Sequence, residues 1–283
     1  MKNMIVKEDV KMQDLSNENI IHIKNEKMEY LQFRRLLQYK EVTHAITLKP
    51  FNFCSNVEYE ANKDKVENNY KDLCNCLQID KNKIIRAKQT HTDIIKCVTQ
   101  DEIGIFPNKL DDVDGLITNE RGLVLSLVFA DCIPLIFYDP IKKVIANVHS
   151  GWKGTVQKIA DKAIEKMINS YNCYAKDILC FIGPSIGKCH FEVEEDVFVI
   201  FKEAFKKMEC FNEMVEKKKT KNGEVKYYID TIAINRILLE KNGLLPENII
   251  ESNICTVCNS NYTHSFRADQ NNSGRATCII SLN

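Results

Sequence analysis

The chain has 283 residues, 44% of them hydrophobic, enough to bury the core of one large domain or two small ones. Its 39 lysines and arginines balance 39 aspartates and glutamates, so it carries no basic excess to grip phosphate backbones and no acidic tail, and a nucleic-acid partner is not expected. The N-terminal residues 1–9 lack the apolar stretch of a signal peptide, and the longest apolar run, 123–130, is far short of a membrane span; a cytoplasmic protein with no membrane partner is expected.

Residues 1–27 read as a polar, lysine-rich N-terminal extension, and regular alternation begins near 28–33. Residues 62–77 place Val66, Tyr70, Leu73 and Leu77 on one stripe of an amphipathic helix. Short β-rich runs follow at 84–85, 93–98, 124–129, 133–138 and 144–149, punctuated by Gly, Pro and Asp, which predicts a buried sheet. A helix is predicted over 155–168 with Thr155 as its N-cap, entered through the turn 150–154. Beyond it come a strand at 178–182, a helix near 197–205, a basic loop at 217–221, a helix at 232–241 and a last strand at 277–281. Strands and helices interleave without a Pro- or Ser-rich linker, so one α/β domain over 28–283 is expected.

Twelve cysteines are scattered from Cys54 to Cys278 in a chain with a core of its own, so reduced thiols are the default. Cys97 and Cys180 lie among apolar neighbours and read as small core hydrophobes. Cys255-Thr256-Val257-Cys258 has redox or zinc-ribbon spacing, but no second cysteine pair follows to complete it. Cys74 and Cys76 face two ways on a helical pattern.

Polar residues at three strand ends stand out: His91 after Lys88-Gln89-Thr90, Cys132 in Phe129-Ala130-Asp131-Cys132, and His149 closing an apolar strand. His91, Cys132 and His149 form an N, S, N set that would leave a tetrahedral zinc one open position; alternatively, Cys132 is a thiolate nucleophile with His149 as its base. Spacing alone leaves both open. Asp131 interrupts a hydrophobic stretch and needs a partner or a cavity. Ser150-Gly151-Trp152-Lys153-Gly154-Thr155 fails the Walker pattern, yet a Gly-rich turn opening a helix, with Lys153 and Thr155 nearby, suits a phosphate. Gly183-Pro184-Ser185-Ile186-Gly187 matches a nucleophile elbow in letters, but its continuation looks extended where an elbow requires a helix.

Lys88-Gln89-Thr90-His91, the segments 112–118 and 130–134, His149-Ser150-Gly151-Trp152-Lys153-Gly154-Thr155 and the segment 182–187 together resemble the laccase-domain, or polyphenol oxidase-like, family of purine nucleoside phosphorylases. The resemblance runs from about Tyr30 to the C-terminus and implies a single α/β domain with a central mixed sheet flanked by helices, similar to the catalytic domain of a bacterial deamidase toxin. It implies Zn2+, with Cu2+ as the alternative, on His91, Cys132 and His149. It also implies phosphorolysis of adenosine, inosine and 5′-methylthioadenosine, and deamination of adenosine, by a monomer whose partners are purine nucleosides and inorganic phosphate.

On that reading Cys132, His149 and Asp131 form the catalytic set, with Asp131 the proton shuttle. Gly151, Lys153, Gly154, Thr155 and Arg267 bind substrate or phosphate. Copper laccase chemistry ranks low, because a multicopper centre needs many histidines and the chain has six. A metal-free Cys-His deamidase or hydrolase and a zinc-stabilised binding protein are the competing classes. The chain departs from the family at Phe266-Arg267-Ala268-Asp269-Gln270 and at His190, where a tyrosine is usual. His44, alone on its strand, reads as structural.

Overall fold

The structure, a computed structural model, describes residues 14–54, 57–104, 110–220 and 222–283. The chain opens with β1 (Ile20–Lys24), β2 (Glu29–Phe33), β3 (Val42–Thr47), α1 (Val57–Leu77), β4 (Ile84–Arg86) and β5 (Ile95–Cys97). Next come β6 (Gly115–Thr118), β7 (Val124–Phe129), β8 (Ile133–Asp139), β9 (Val144–Ser150), α2 (Trp152–Val156) and α3 (Ile159–Tyr171). β10 (Leu179–Ile182), β11 (Glu192–Val193), α4 (Glu195–Ala204), β12 (Val215–Lys219) and β13 (Val225–Ile229) follow. The last elements are α5 (Thr231–Lys241), β14 (Ile249–Glu251), α6 (Phe266–Asp269) and β15 (Ala276–Leu282).

Where one central sheet is expected, the strands divide into two six-stranded mixed sheets, ordered β1-β2-β3-β15-β7-β4 and β14-β10-β8-β9-β6-β5. Period-two alternation explains the division. Ile136 and Tyr138 on β8 face the first sheet, in one cluster with Leu125, Leu127 and Ile280, while Leu135 and Phe137 face Ile159, Ala163 and Met167 of α3. On the far side, Tyr30, Ala45 and Ile279 pack against Val66, Tyr70 and Leu73 of α1. The result is a four-layer helix–sheet–sheet–helix stack, so the inner strands are covered on both faces and read as continuous apolar runs. A small third sheet, β11-β13-β12, makes a satellite core with α4 and α5.

Several boundaries move. The expected extension 1–27 is shorter: Ile20–Lys24 pairs antiparallel with β2 and buries Ile20, while residues 1–13 lie outside the described residues. The expected loop at 217–221 is mostly strand, because Lys217–Lys219 completes β12 against Tyr227–Val225 with solvent-facing lysines. Thr155 is not an N-cap. The helix begins earlier, capped by Gly151, and breaks at Lys158, whose φ is +59°, before α3 starts.

The two sheets are joined by a polar link as well as by packing. Asn147 on β9 is fully buried and its Nδ2 donates to the carbonyls of Cys278 (2.7 Å) and Leu125 (3.3 Å) across the interface. Replacing it by leucine removes two buried hydrogen bonds at nearly constant volume. Asn147→Leu is expected to destabilise the fold by about 2 kcal/mol, read as a shift in urea midpoint at unchanged slope.

Candidate active site

The chain crosses from the first sheet to the second twice within this region, and each crossing carries a reactive side chain. β4 leads through His91 to β5, and β7 leads through Ala130-Asp131-Cys132 to β8. His149 is the penultimate residue of β9 and pairs in register with Pro134, just beyond Cys132. The seam between the sheets therefore gathers all three. Their donor atoms lie within 4.8 Å of one another, with Cys132 Sγ 3.7 Å from His91 Nε2.

Each position is held from behind. Gln89 pairs with the backbone of Val128 at both ends, its Nε2 donating to the carbonyl (2.8 Å) and its Oε1 accepting the N–H (2.9 Å), which fastens the His91 loop to β7. His91 has φ +65° and Asp131 +78°, left-handed conformations that cost non-glycine residues energy unless the surroundings impose them. For His91 the surroundings are Asp114. This fully buried carboxylate accepts the backbone N–H groups of Thr90, His91 and Thr92, the Thr92 hydroxyl and the His149 imidazole at Nδ1 (2.8 Å). His149 Nδ1 is thereby committed to Asp114, leaving Nε2 to face the cluster. Glycine is required at 151, because a Cβ there would lie 2.7 Å from His91 Cδ2 and 3.1 Å from Cys132 Sγ.

Burial alone would raise the Cys132 thiol, but the imidazoles of His149 and His91 outweigh it and pull it down to about 6. Burial would lower His149, but Cys132 and Asp114 raise it. Burial also works against the Asp114 charge, and its bonds to His149 and Thr92 more than offset this, holding it below the ordinary carboxylate range. One thiolate and two imidazoles, one of them anchored by a carboxylate, form a donor set that can hold a soft divalent ion.

The cluster sits in a cleft of about 440 Å3, room for a drug-sized ligand. Trp152, Phe191 and Phe266 supply aromatic walls, and Lys88, Arg267 and Arg275 supply cations. Of the expected substrate residues, Arg267 lines this cleft and Gly151 borders the His91–Cys132–His149 cluster. Lys153 is exposed with its ammonium 5.7 Å from the Trp152 ring, Gly154 is buried, and the Thr155 hydroxyl is spent on Ser150 and Asn235. These three do not line the cleft. Asp131 does, with Oδ1 accepting from the Thr256 hydroxyl (2.6 Å) and Oδ2 from the Arg267 backbone N–H (2.7 Å).

Sequence reasoning missed Asp114 and Arg275. Asp114 offered a signal, an acid between Val113 and a fully buried strand; Arg275, alone before β15, offered none. His44 is structural as expected: it is buried, its Nε2 accepts the Phe33 N–H (2.7 Å), and burial pushes it down to about 3.

Residues 44–283 match the family described as "Multi-copper polyphenol oxidoreductase laccase". The "Purine nucleoside phosphorylase LACC1" of Mus musculus is 32% identical over 241 residues, 83% of this chain but 52% of that protein, so the chain spans about half its length. The "Purine nucleoside phosphorylase YlmD" of Bacillus subtilis (strain 168) is 30% identical over 242 residues, 84% of each chain. "Adenosine deaminase RL5", from an unknown prokaryotic organism, is 31% identical over 203 residues, 70% of this chain and 75% of that one. The crystal structure of YlmD from Geobacillus stearothermophilus superposes with a TM-score of 0.81 at 25% identity, covering 93% of this chain and 99% of that one. Among the described residues no helix is long and apolar enough to cross a membrane.

The depressed Cys132 thiol has a measurable consequence in metal-free protein. Its alkylation by iodoacetamide, followed at the Cys132 peptide by mass spectrometry, is expected to persist at neutral pH and to fall as protonation removes the thiolate below about 6. An ordinary thiol loses reactivity below about 8.5.

Proposed function

We propose that this chain, which belongs to the multi-copper polyphenol oxidoreductase laccase family, is a zinc-dependent purine nucleoside phosphorylase acting on adenosine, inosine and 5′-methylthioadenosine, with adenosine deaminase as a second activity. The observation that carries the reading is the convergence of His91, Cys132 and His149 on the floor of a cleft walled by aromatic rings and rimmed by cations.

The donor set suits zinc: two neutral nitrogens and one thiolate lie at separations compatible with a tetrahedral ion, and Gly151 leaves the space a side chain would fill. When bound, zinc would supply the Lewis acidity that lowers the pKa of a water molecule for attack on the purine carbon bearing the amine. Everything else falls to the protein. Asp114 fixes the His149 tautomer and the His91 loop together. Trp152, Phe191 and Phe266 offer faces for a purine ring. Asp131 is the carboxylate among the described cleft residues; each oxygen accepts one hydrogen bond from a described residue, leaving a lone pair for exchanging a proton with the base.

Phosphate binding moves from the 153–155 turn to the cations that line the cleft. Arg267 donates from both Nη atoms to the carbonyls of His190 and Glu192 and so holds the wall. Among the described residues Arg275 is held through Nη1 by Ser273 and Gly274 and stands over Phe266, which leaves its other N–H groups for an anion. The placing of the remaining histidines favours this reading over a multicopper oxidase. His22 pairs with Glu29, His44 with the Phe33 N–H and His264 with the Phe51 carbonyl, while His190 faces Cys189, Cys255 and Cys258, and none of the four lines the cleft.

Purified, metal-analysed protein given adenosine and phosphate is expected to release adenine and ribose 1-phosphate; without phosphate it is expected to yield inosine. Cys132→Ala should lower both by more than the roughly 10–100-fold that changes to ligand-orienting groups cost, with loss of metal. Amide cleavage by metal-free protein that depends on Cys132 would instead establish the Cys132–His149 dyad. Arg275→Ala should raise the phosphate KM about tenfold, the worth of one charge-assisted contact, at nearly constant kcat.

A further inference from the structure

We propose that Cys189, His190, Cys255 and Cys258 form a second metal site, a closed four-ligand zinc centre that ties two loops of the cleft wall together. Their ligand atoms all lie within 4.8 Å of one another. Cys189 Sγ is 3.6 Å from Cys255 Sγ and 3.7 Å from Cys258 Sγ. His190 Nδ1 is 3.1, 3.7 and 3.5 Å from the sulfurs of Cys189, Cys255 and Cys258. An ideal tetrahedron with zinc–sulfur bonds of about 2.3 Å and a zinc–nitrogen bond of about 2.0 Å puts sulfurs about 3.8 Å apart and nitrogen about 3.5 Å from each sulfur. The chain already approximates those edges. Three thiolates and one imidazole complete the coordination of zinc, so the centre is structural, with no position left for water or substrate.

The backbone around the cluster is built to hold sulfur. The Gly187 N–H donates to Cys255 Sγ (3.4 Å), and a Cβ on Gly187 would press on Cys189 Sγ at 3.3 Å and on Cys255. The Ser185 N–H donates to the Ile254 carbonyl (3.2 Å) and the Thr256 N–H to the Ser185 carbonyl (3.0 Å), a parallel bridge that lays the 185–190 loop along the 254–258 loop. Val257 packs on the satellite core while Cys189 and Cys258 remain exposed, a position in which free thiols are open to oxidation and bound ones are not. The Cys-x-x-Cys at 255–258 thus finds its partners in the adjacent Cys189-His190 pair rather than in a second Cys-x-x-Cys.

The centre lies behind the cleft and separate from the His91–Cys132–His149 cluster. His190 and Glu192 give their carbonyls to the Arg267 guanidinium, and Thr256 gives its hydroxyl to Asp131. A zinc on these four ligands would therefore brace Arg267 and Asp131 without touching substrate.

The test uses the full chain, free of any polyhistidine tag and kept reduced, in a Cys132→Ala background that removes a ligand of the other cluster. Elemental analysis is expected to find one zinc per chain that resists dialysis. Cobalt(II) titrated into the apoprotein is expected to give the intense sulfur-to-metal absorption of a tetrahedral three-thiolate site. Adding Cys189→Ser and Cys258→Ser should abolish both readouts. Because that variant can fail to fold, alkylation mapped on the otherwise unaltered chain provides an independent measure: zinc should protect Cys189, Cys255 and Cys258 together, and a chelator should expose them together. Stoichiometric zinc absent from the Cys132→Ala chain, or a disulfide joining two of the three cysteines in freshly isolated protein, would overturn the proposal.

Discussion

The structure depends on one buried carboxylate. Asp114 is out of contact with water, and an ionised group there is tolerated only because its oxygens are saturated by four donors from residues 90–92 and one from His149. The same bonds do two jobs. They impose a left-handed backbone on His91, which would otherwise relax, and they fix which nitrogen of His149 is available. One imidazole on a crossing loop and one on a strand are thus set by one group, so their mutual geometry does not depend on the accuracy of either element alone.

The position of the cluster follows from how the two sheets are connected. A face-to-face pair of sheets has its interior filled with apolar side chains, and polar chemistry survives only at the rim. Here the chain changes sheet at His91 and again at Ala130–Cys132, and a crossing segment is freed from strand alternation. It can therefore turn a polar side chain along the seam without burying it between sheets. His149 reaches the same seam as the end of a strand whose earlier residues, Ile145 to Val148, are fully buried, Asn147 by its bonds across the sheets and the others by packing.

Much of this was legible from the sequence. Runs such as 124–129 and 144–149 had to be strands, because apolar segments that short, bounded by Gly and Asp, cannot make helices of useful length. His91, Cys132 and His149 stood out because each broke an apolar pattern. The second sheet was not legible: local alternation shows that a strand has two covered faces, but not whether a helix or another sheet covers them. β1 was hidden by its lysine- and asparagine-rich surroundings, and β12 by its lysines, which an edge strand can carry on an open face. Thr155 looked like a cap because its side chain can serve as one; the buried Asn235 and Ser150 that claim its hydroxyl are distant or structurally silent in the sequence. Asp114 was missed because its partners come from a segment more than twenty residues earlier and a strand thirty-five residues later.

The C-terminal third shows how a departure from a family pattern can be read physically. His190 and Gln270 replace residues expected to touch substrate, yet the walls of the cleft remain in place because Arg267 is gripped by backbone carbonyls, which any side chain at 190 or 192 provides. Asp131 binds this region to the Cys132 turn from the other direction, through the Thr256 hydroxyl, the Arg267 N–H and its own carbonyl, which accepts from Ile186. Its positive φ places Cys132 at the turn, and those three bonds keep that conformation. The backbone contacts from Arg267 and Ile186 that help orient Cys132 therefore do not depend on which side chains stand at 190 and 270. Variation in substrate contacts and constancy of the ligand set are then compatible in one loop system.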